Sequence, residues 1–197
     1  MSIFHHLFSN DKHMHTLIQQ VVKREVNTQL VTGLTGGARP AFIQALYEEM
    51  KEPIYVITSN LLQAQKLVDD MKSLIGDQNV FYYPADEFIA ANIAISSPEL
   101  RAQRIATLEK LVVKAHGVYI IPIAGMRNMM TPYEQWKSSC LSTQVGEDIS
   151  LDVWLEKLIE MGYTRNQMVT TPGEFALRGG ILDIYPPYAE SPIRLEL

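Results

Sequence analysis

A chain of 197 residues, 47% hydrophobic and 20% charged, is long enough for one large or two small packed cores and has the composition of an ordinary globular protein. Its net charge is −5, with 11 basic against 12 acidic residues up to Gly125 and 6 against 10 after it, which excludes the basic excess of a stand-alone nucleic-acid binder. The single cysteine, Cys140, rules out an internal disulfide and fits a reducing cytoplasm; the start MSIFHHLFSNDK is no signal peptide, and no apolar run is long enough for a membrane span.

Residues 11–25 read as a helix, with Met14, Leu17, Ile18 and Val21 at helical spacing. TQLVTGL (28–34) is a short β-prone run ending in a glycine loop, AFIQALYEEM (41–50) is helical, and PIYVIT (53–58) has the pattern of a buried strand. Asn60 begins a helix with Leu61, Ala64, Leu67, Val68 and Met71 on one side, and Gly76 ends it. VFYY (80–83) is a third strand. Ser97 as N-cap and Pro98 at the first position open a helix whose apolar face is Leu100, Ile105, Leu108, Leu111 and Val112. GVYIIPI (117–123) is a fourth strand. This alternation predicts an α/β domain over 1–125, a parallel sheet covered on both faces.

MRNMMTPYEQW, which loses periodicity and carries Pro132, marks a boundary. In 126–197 Ser150 caps a helix, LDVWLEKLIEM, closed by Gly162, with Leu151, Trp154, Leu155, Leu158 and Ile159 as its apolar face. NQMVT, EFAL, ILDIYP and PIRLEL follow, separated by Pro-Gly and Gly-Gly turns without intervening helices, so antiparallel pairing and a small α+β domain are expected.

The informative feature is the predicted strand–GLTGGARP–helix at 33–40. A phosphate-binding P-loop, G-x-x-x-x-G-K-[ST], occupies such a place because glycines turn N–H groups toward phosphate, lysine neutralises it and the hydroxyl holds magnesium. Gly33 fills the first position, but Ala38, Arg39 and Pro40 stand where the second glycine, the lysine and the hydroxyl residue belong, with Gly36 and Gly37 between. Alanine at a site expected to need positive φ would strain the loop, proline removes a donor and the metal ligand, and a forked arginine does not replace lysine. A glycine turn that never held nucleotide, a working but unusual ATP site, and an ancestral P-loop kept as a turn all remain readings of this motif; the last accounts best for its placement.

His5, His6, His13 and His15 cluster near the start, but the last two lie off a shared helical face, so a surface cluster is expected rather than a metal site. Phe81, Tyr82, Tyr83, Trp136 and Trp154 read as packing residues. No catalytic Ser-His-Asp or Cys-His arrangement stands out.

In this order, GLTGGARP, PIYVITSNLLQAQKLVDDM, FYYPADE, SSPELRAQRIATLEKL and RGGILDIYPP followed by PIRLEL resemble the N-terminal module of the bacterial transcription-repair coupling factors, the Mfd family. The resemblance covers essentially the whole chain. That module is similar to the damage-recognition protein UvrB, whose loop resembles GVTGTGKT with lysine and threonine intact. It implies a UvrB/helicase-like, P-loop-like domain with a degenerate P-loop, no ATPase and no cofactor in this chain. EFIAANIAISSPEL, with Phe88 alone as aromatic, is too poor in rings to supply UvrB's base-stacking hairpin. What the resemblance implies is UvrA binding by the small second domain, through GYTRNQMVTTPGEFALRGGILDIYP: Arg165, Arg178 and Gly179, with Phe175 and Leu182 nearby, although both also read as core. The full-length family protein, an ATP-dependent DNA translocase, would contact RNA polymerase and DNA through regions outside this chain, recruit nucleotide excision repair to stalled polymerase, and mask this docking face by folding back. PIRLEL looks like the middle of a β unit, so an exposed strand edge is expected. An active UvrB-type P-loop NTPase acting on damaged DNA is the competing reading.

Overall fold

The computed structural model describes residues 12–25, 27–85, 98–127 and 130–197. They divide into two compact units: residues up to 85 with 107–127, and residues 98–106 with 130–197.

In the first unit, helices α1 (Lys12–Val22) and α2 (Ala38–Glu49) precede strand β1 (Ile54–Thr58), helix α3 (Leu61–Ile75) and strand β2 (Val80–Tyr82); helix α4 (Pro98–Val112), which belongs to this unit from Thr107 onward, leads to strand β3 (Val118–Pro122). The three strands form a parallel sheet in the order β1-β3-β2, with Ile54 and Val80 both paired to Val118. Parallel neighbours require long crossovers, which α3 and the α4 region provide. Helix α3 starts where the Asn60 side chain accepts the Gln63 N–H at 2.9 Å and stops at Gly76, whose φ of +84° suits a residue without Cβ. Its Ala64, Leu67, Val68 and Met71 lie on one helical face and are buried with Val80, Val118, Ile120 and Ile43 of α2. Thr107 of α4 donates to the Tyr82 carbonyl at 2.7 Å.

Two expectations fail here. Residues 28–34 form no strand: among the described residues no backbone pairs with them and Leu30 is 89% exposed, so β-propensity without a strand partner leaves them irregular. The sheet is also not fully covered on both faces. Opposite α3 it carries an aromatic row in which the Tyr119 ring lies 5.3 Å from Tyr55 and 4.7 Å from Phe81, yet Tyr55 and Ile57 of β1 stay about half exposed. Burial drives the Tyr119 hydroxyl, which donates to the Ala115 carbonyl, up to about 12. The Ser97 cap, Asp86, Glu87, Phe88, His5 and His6 lie outside the described residues.

The second unit holds helices α5 (Tyr133–Ser139) and α6 (Leu151–Glu160) and strands β4 (Thr164–Arg165), β5 (Glu174–Arg178), β6 (Ile181–Ile184) and β7 (Ile193–Glu196), in the sheet order β4-β5-β6-β7. The exposed Cys140 follows α5. β5, β6 and β7 pair antiparallel as expected. In β5–β7, alternation sends Phe175, Leu177, Leu182, Ile184 and Leu195 to the core with Leu158, Leu151, Trp154 and Leu155 of α6. The opposite face carries Glu174, Ala176, Arg178, Asp183, Arg194 and Glu196.

Four details differ from expectation. The short helix α5 begins inside the stretch expected to lack periodicity. Ser150 occupies the N-cap position of α6 without a side-chain cap bond, only its carbonyl receiving the Trp154 N–H. Ile159 is 61% exposed, because the packed stripe is narrower than the five residues expected. NQMVT is not a strand; the strand is Thr164–Arg165, and it pairs parallel to β5. The cause is Glu174, whose carboxylate collects Asn166 Nδ2 and the Thr170 and Thr171 N–H groups and draws residues 166–171 into a loop.

Candidate docking groove

Arg165 ends β4, Arg178 ends β5, and the loop after β4 runs between them. Together Arg165, Asn166, Gln167, Met168, Leu177 and Arg178 line an open groove of about 730 Å³. The loop wall is held from below by Glu174. The two backbone N–H bonds from Thr170 and Thr171, at 2.8 and 2.9 Å, favour the charged carboxylate and hold it at about 2, well under its ordinary value. The other wall depends on the two-residue Gly179–Gly180 connection that pairs Arg178 with Ile181. Gly179 has φ +60° and Gly180 does not share the positive sign, the pattern of a tight hairpin whose first central residue must be glycine.

Arg178 is anchored. Its Nη2 donates to Asp183 Oδ2 at 2.8 Å, and Arg194 grips the same carboxylate through Nε (2.7 Å) and Nη2 (3.0 Å). The Asp183 side chain is 9% exposed, while those of Arg178 and Arg194 are 50% and 54% exposed. Hydrogen bonds from Arg194 first, and then from Arg178, hold the Asp183 carboxyl below the usual carboxylate range. Arg165 is exposed and makes no side-chain hydrogen bond or ion pair with the described residues. The groove thus offers two guanidinium groups, one fixed and one free, beside the exposed thioether of Met168.

The structure therefore brings Arg165, Arg178 and Gly179 to one place. Phe175 and Leu182 are at 0% exposure in the core; they support the strands and do not line the groove. Sequence reasoning missed Asn166, Gln167 and Met168, hidden in what read as a strand, and Asp183. The available signal for Asp183 was an acidic residue inside the apolar run ILDIY.

The loop at 33–40 stands apart from this groove. Gly33 and Gly36 have φ of +83° and +53°, Gly37 has −71°, and no atom lies within 4 Å of a Cβ built on any of them. Ala38 does not sit at positive φ, contrary to expectation: it is the first residue of α2, its N–H reaching the Thr35 carbonyl at 3.0 Å, so it carries no strain. Pro40 is buried in the first turn of α2, where a missing N–H costs nothing, and Arg39 is exposed. Among the described residues no helix is long and apolar enough to cross a membrane, and no three His, Cys, Asp or Glu side chains are grouped to hold a metal ion.

Residues 141–197, which contain the whole groove, match the family described as UvrB interaction domain. The chain is 48% identical over 169 residues, 86% of its length, to a transcription-repair-coupling factor of Bacillus subtilis (strain 168), covering 14% of that protein. It is 39% identical over all 197 residues to the transcription-repair-coupling factor of Staphylococcus aureus (strain USA300), covering 16% of it. The chain therefore spans about one-sixth of the length of the curated relatives it matches.

Proposed function

This chain is homologous along its whole length to the transcription-repair-coupling factors, and from that premise we propose that it is their UvrA-docking module, without nucleotide hydrolysis of its own. The observation that carries the reading is the coincidence of the UvrB interaction domain match with a groove flanked by Arg165 and Arg178. Arginine suits such a surface because its planar fork binds carboxylates in two places and its plane stacks. The chain in this reading recruits UvrA, and with it nucleotide excision repair, to RNA polymerase stalled at a lesion in the cytoplasm. DNA translocation, polymerase contact and masking of the groove by folding back belong to parts of the longer protein outside this chain. Residues 33–40 are in this reading a degenerate P-loop: Arg39 and Pro40 replace the lysine and hydroxyl that grip phosphate and magnesium.

Two measurements test it. UvrA titrated against the chain is expected to bind, and Arg178→Ala to lose about 2 kcal/mol of affinity, roughly 30-fold, as an interface anchor does. Arg165→Ala is expected to weaken binding as well. No complex with UvrA, or one indifferent to both changes, refutes the docking reading. Calorimetry with Mg-ATP is expected to be flat; micromolar binding abolished by Arg39→Ala would favour the UvrB-type NTPase instead.

A further inference from the structure

We propose that Asp183 is the positioning residue of the docking groove, holding the Arg178 guanidinium in its receiving geometry without itself touching the partner; this rests on the docking reading. Among the described residues the buried polar and charged side chains are Gln44, Thr58, Thr107 and Asp183, and of these Asp183 alone is ionic. A buried carboxylate is a weak way to stabilise a small unit, even paired to half-exposed arginines, since apolar residues of similar volume often do as well or better. Its placement accounts for its presence. Asp183 sits directly opposite Arg194 on β7 and opposite Ala176 on β5, two residues before Arg178 on the same face. Arg194 takes both carboxylate oxygens, which stops the carboxylate from rotating. The fixed Oδ2 then holds one Nη2 of Arg178 at 2.8 Å.

That leaves most of Arg178's five N–H donors without a partner among the described residues, on a side chain that is half exposed. A free surface arginine must be ordered when it binds, and that ordering subtracts from affinity. Arg178 is ordered beforehand by a neighbour that occupies only one edge of its fork. Arg165 has no such neighbour, so the two arginines of one groove differ in preorganisation.

The test is a double-mutant cycle on UvrA binding with Asp183→Asn, Arg178→Ala and the pair, and a parallel cycle with Arg165→Ala. The isosteric Asn keeps the shape of the side chain and removes its charge. Asp183→Asn is expected to weaken UvrA binding about tenfold when Arg178 is present, and less than about twofold when it is Ala, a coupling typical of residues in one network. In the Arg165→Ala background the full effect of Asp183→Asn should remain. Unchanged binding by Asp183→Asn, or an equal loss in the Arg178→Ala background, overturns the positioning role while leaving docking intact. If Arg178→Ala itself binds like the unaltered chain, there is no anchor to position and this inference fails; if Arg165→Ala does so too, the docking reading fails with it. Should Asp183→Asn not fold, nitrogen-15 spectra of the unaltered chain decide: slowed rotation of the Arg178 guanidinium relative to Arg165 supports the proposal, and equal free rotation overturns it.

Discussion

Truncating Leu182 separates support from contact in the groove. The residue is fully buried among Leu158, Phe175 and Ile184, with Leu177 and Leu195 as its cross-strand neighbours. Leu182→Ala removes three side-chain carbons; at about 0.8 kcal/mol per buried methylene this loses about 2.4 kcal/mol of transfer energy. The incompletely collapsed cavity raises the total to about 3–4 kcal/mol. That is a large part of the roughly 5–15 kcal/mol that stabilises an ordinary domain. The neighbouring Asp183 faces the other way, so the Arg178–Asp183 contact survives in the folded fraction. Urea unfolding followed by circular dichroism measures the first effect, with Leu182→Met as a volume-conserving control that costs less than about 1.5 kcal/mol. UvrA binding in the absence of urea measures the second and should change by less than about twofold, as for a site outside the interface. A stability loss under about 1 kcal/mol, close to that of a surface substitution, would contradict the packing argument. Lost UvrA binding by a fully folded Leu182→Ala would show that the residue touches the partner after all.

Three further outcomes are expected. Glu174 titrates at about 2 in the folded chain against 4.5 ordinarily, so its contribution is complete above pH 4.5 and lost as pH falls toward 2. Amide exchange at Thr170 and Thr171 should therefore quicken over that window, and Glu174→Ala should quicken it at neutral pH; exchange indifferent to both would dismiss the carboxylate as the loop's anchor. Gly117→Ala would put a Cβ 2.8 Å from the Asn79 carbonyl oxygen and against the Phe81 ring, so a loss of about 1–3 kcal/mol is expected in thermal unfolding. Asn60→Ala removes the side-chain cap of α3 and should cost about 1 kcal/mol, with Asn60→Ser nearly neutral by the same measurement; equal losses would point to something other than capping.

Where the determinants were local, the sequence could be read directly. The Asn60 cap, the Gly76 stop, the apolar stripe of α3 and the glycine hairpin after Arg178 lie within a few residues of the structure they set. The alternation in EFALR likewise points Phe175 inward and Arg178 outward. What escaped depends on distant partners. Residues 28–34 have strand composition but no strand to pair with among the described residues, and the parallel pairing of β4 arises because Glu174 gathers the loop at 166–171. Asp183 is illegible in the same way: its two arginines lie 5 and 11 residues away, and only strand register brings all three together. Of the six residues that line the groove, Arg165 and Arg178 were found, and Leu177 was not singled out. Asn166 to Met168 were lost with the misassigned strand.

Both tryptophans of the chain, Trp136 and Trp154, belong to the unit that holds the groove, and Trp154 rests on its core cluster. Selective excitation of indole therefore watches that unit alone, while tyrosine and far-ultraviolet signals average over both. Non-coincident melting curves from the two signals would reveal the units opening separately, which no single transition midpoint can describe. The molecule carries its own optical reporter for the half that docks, with no label to attach.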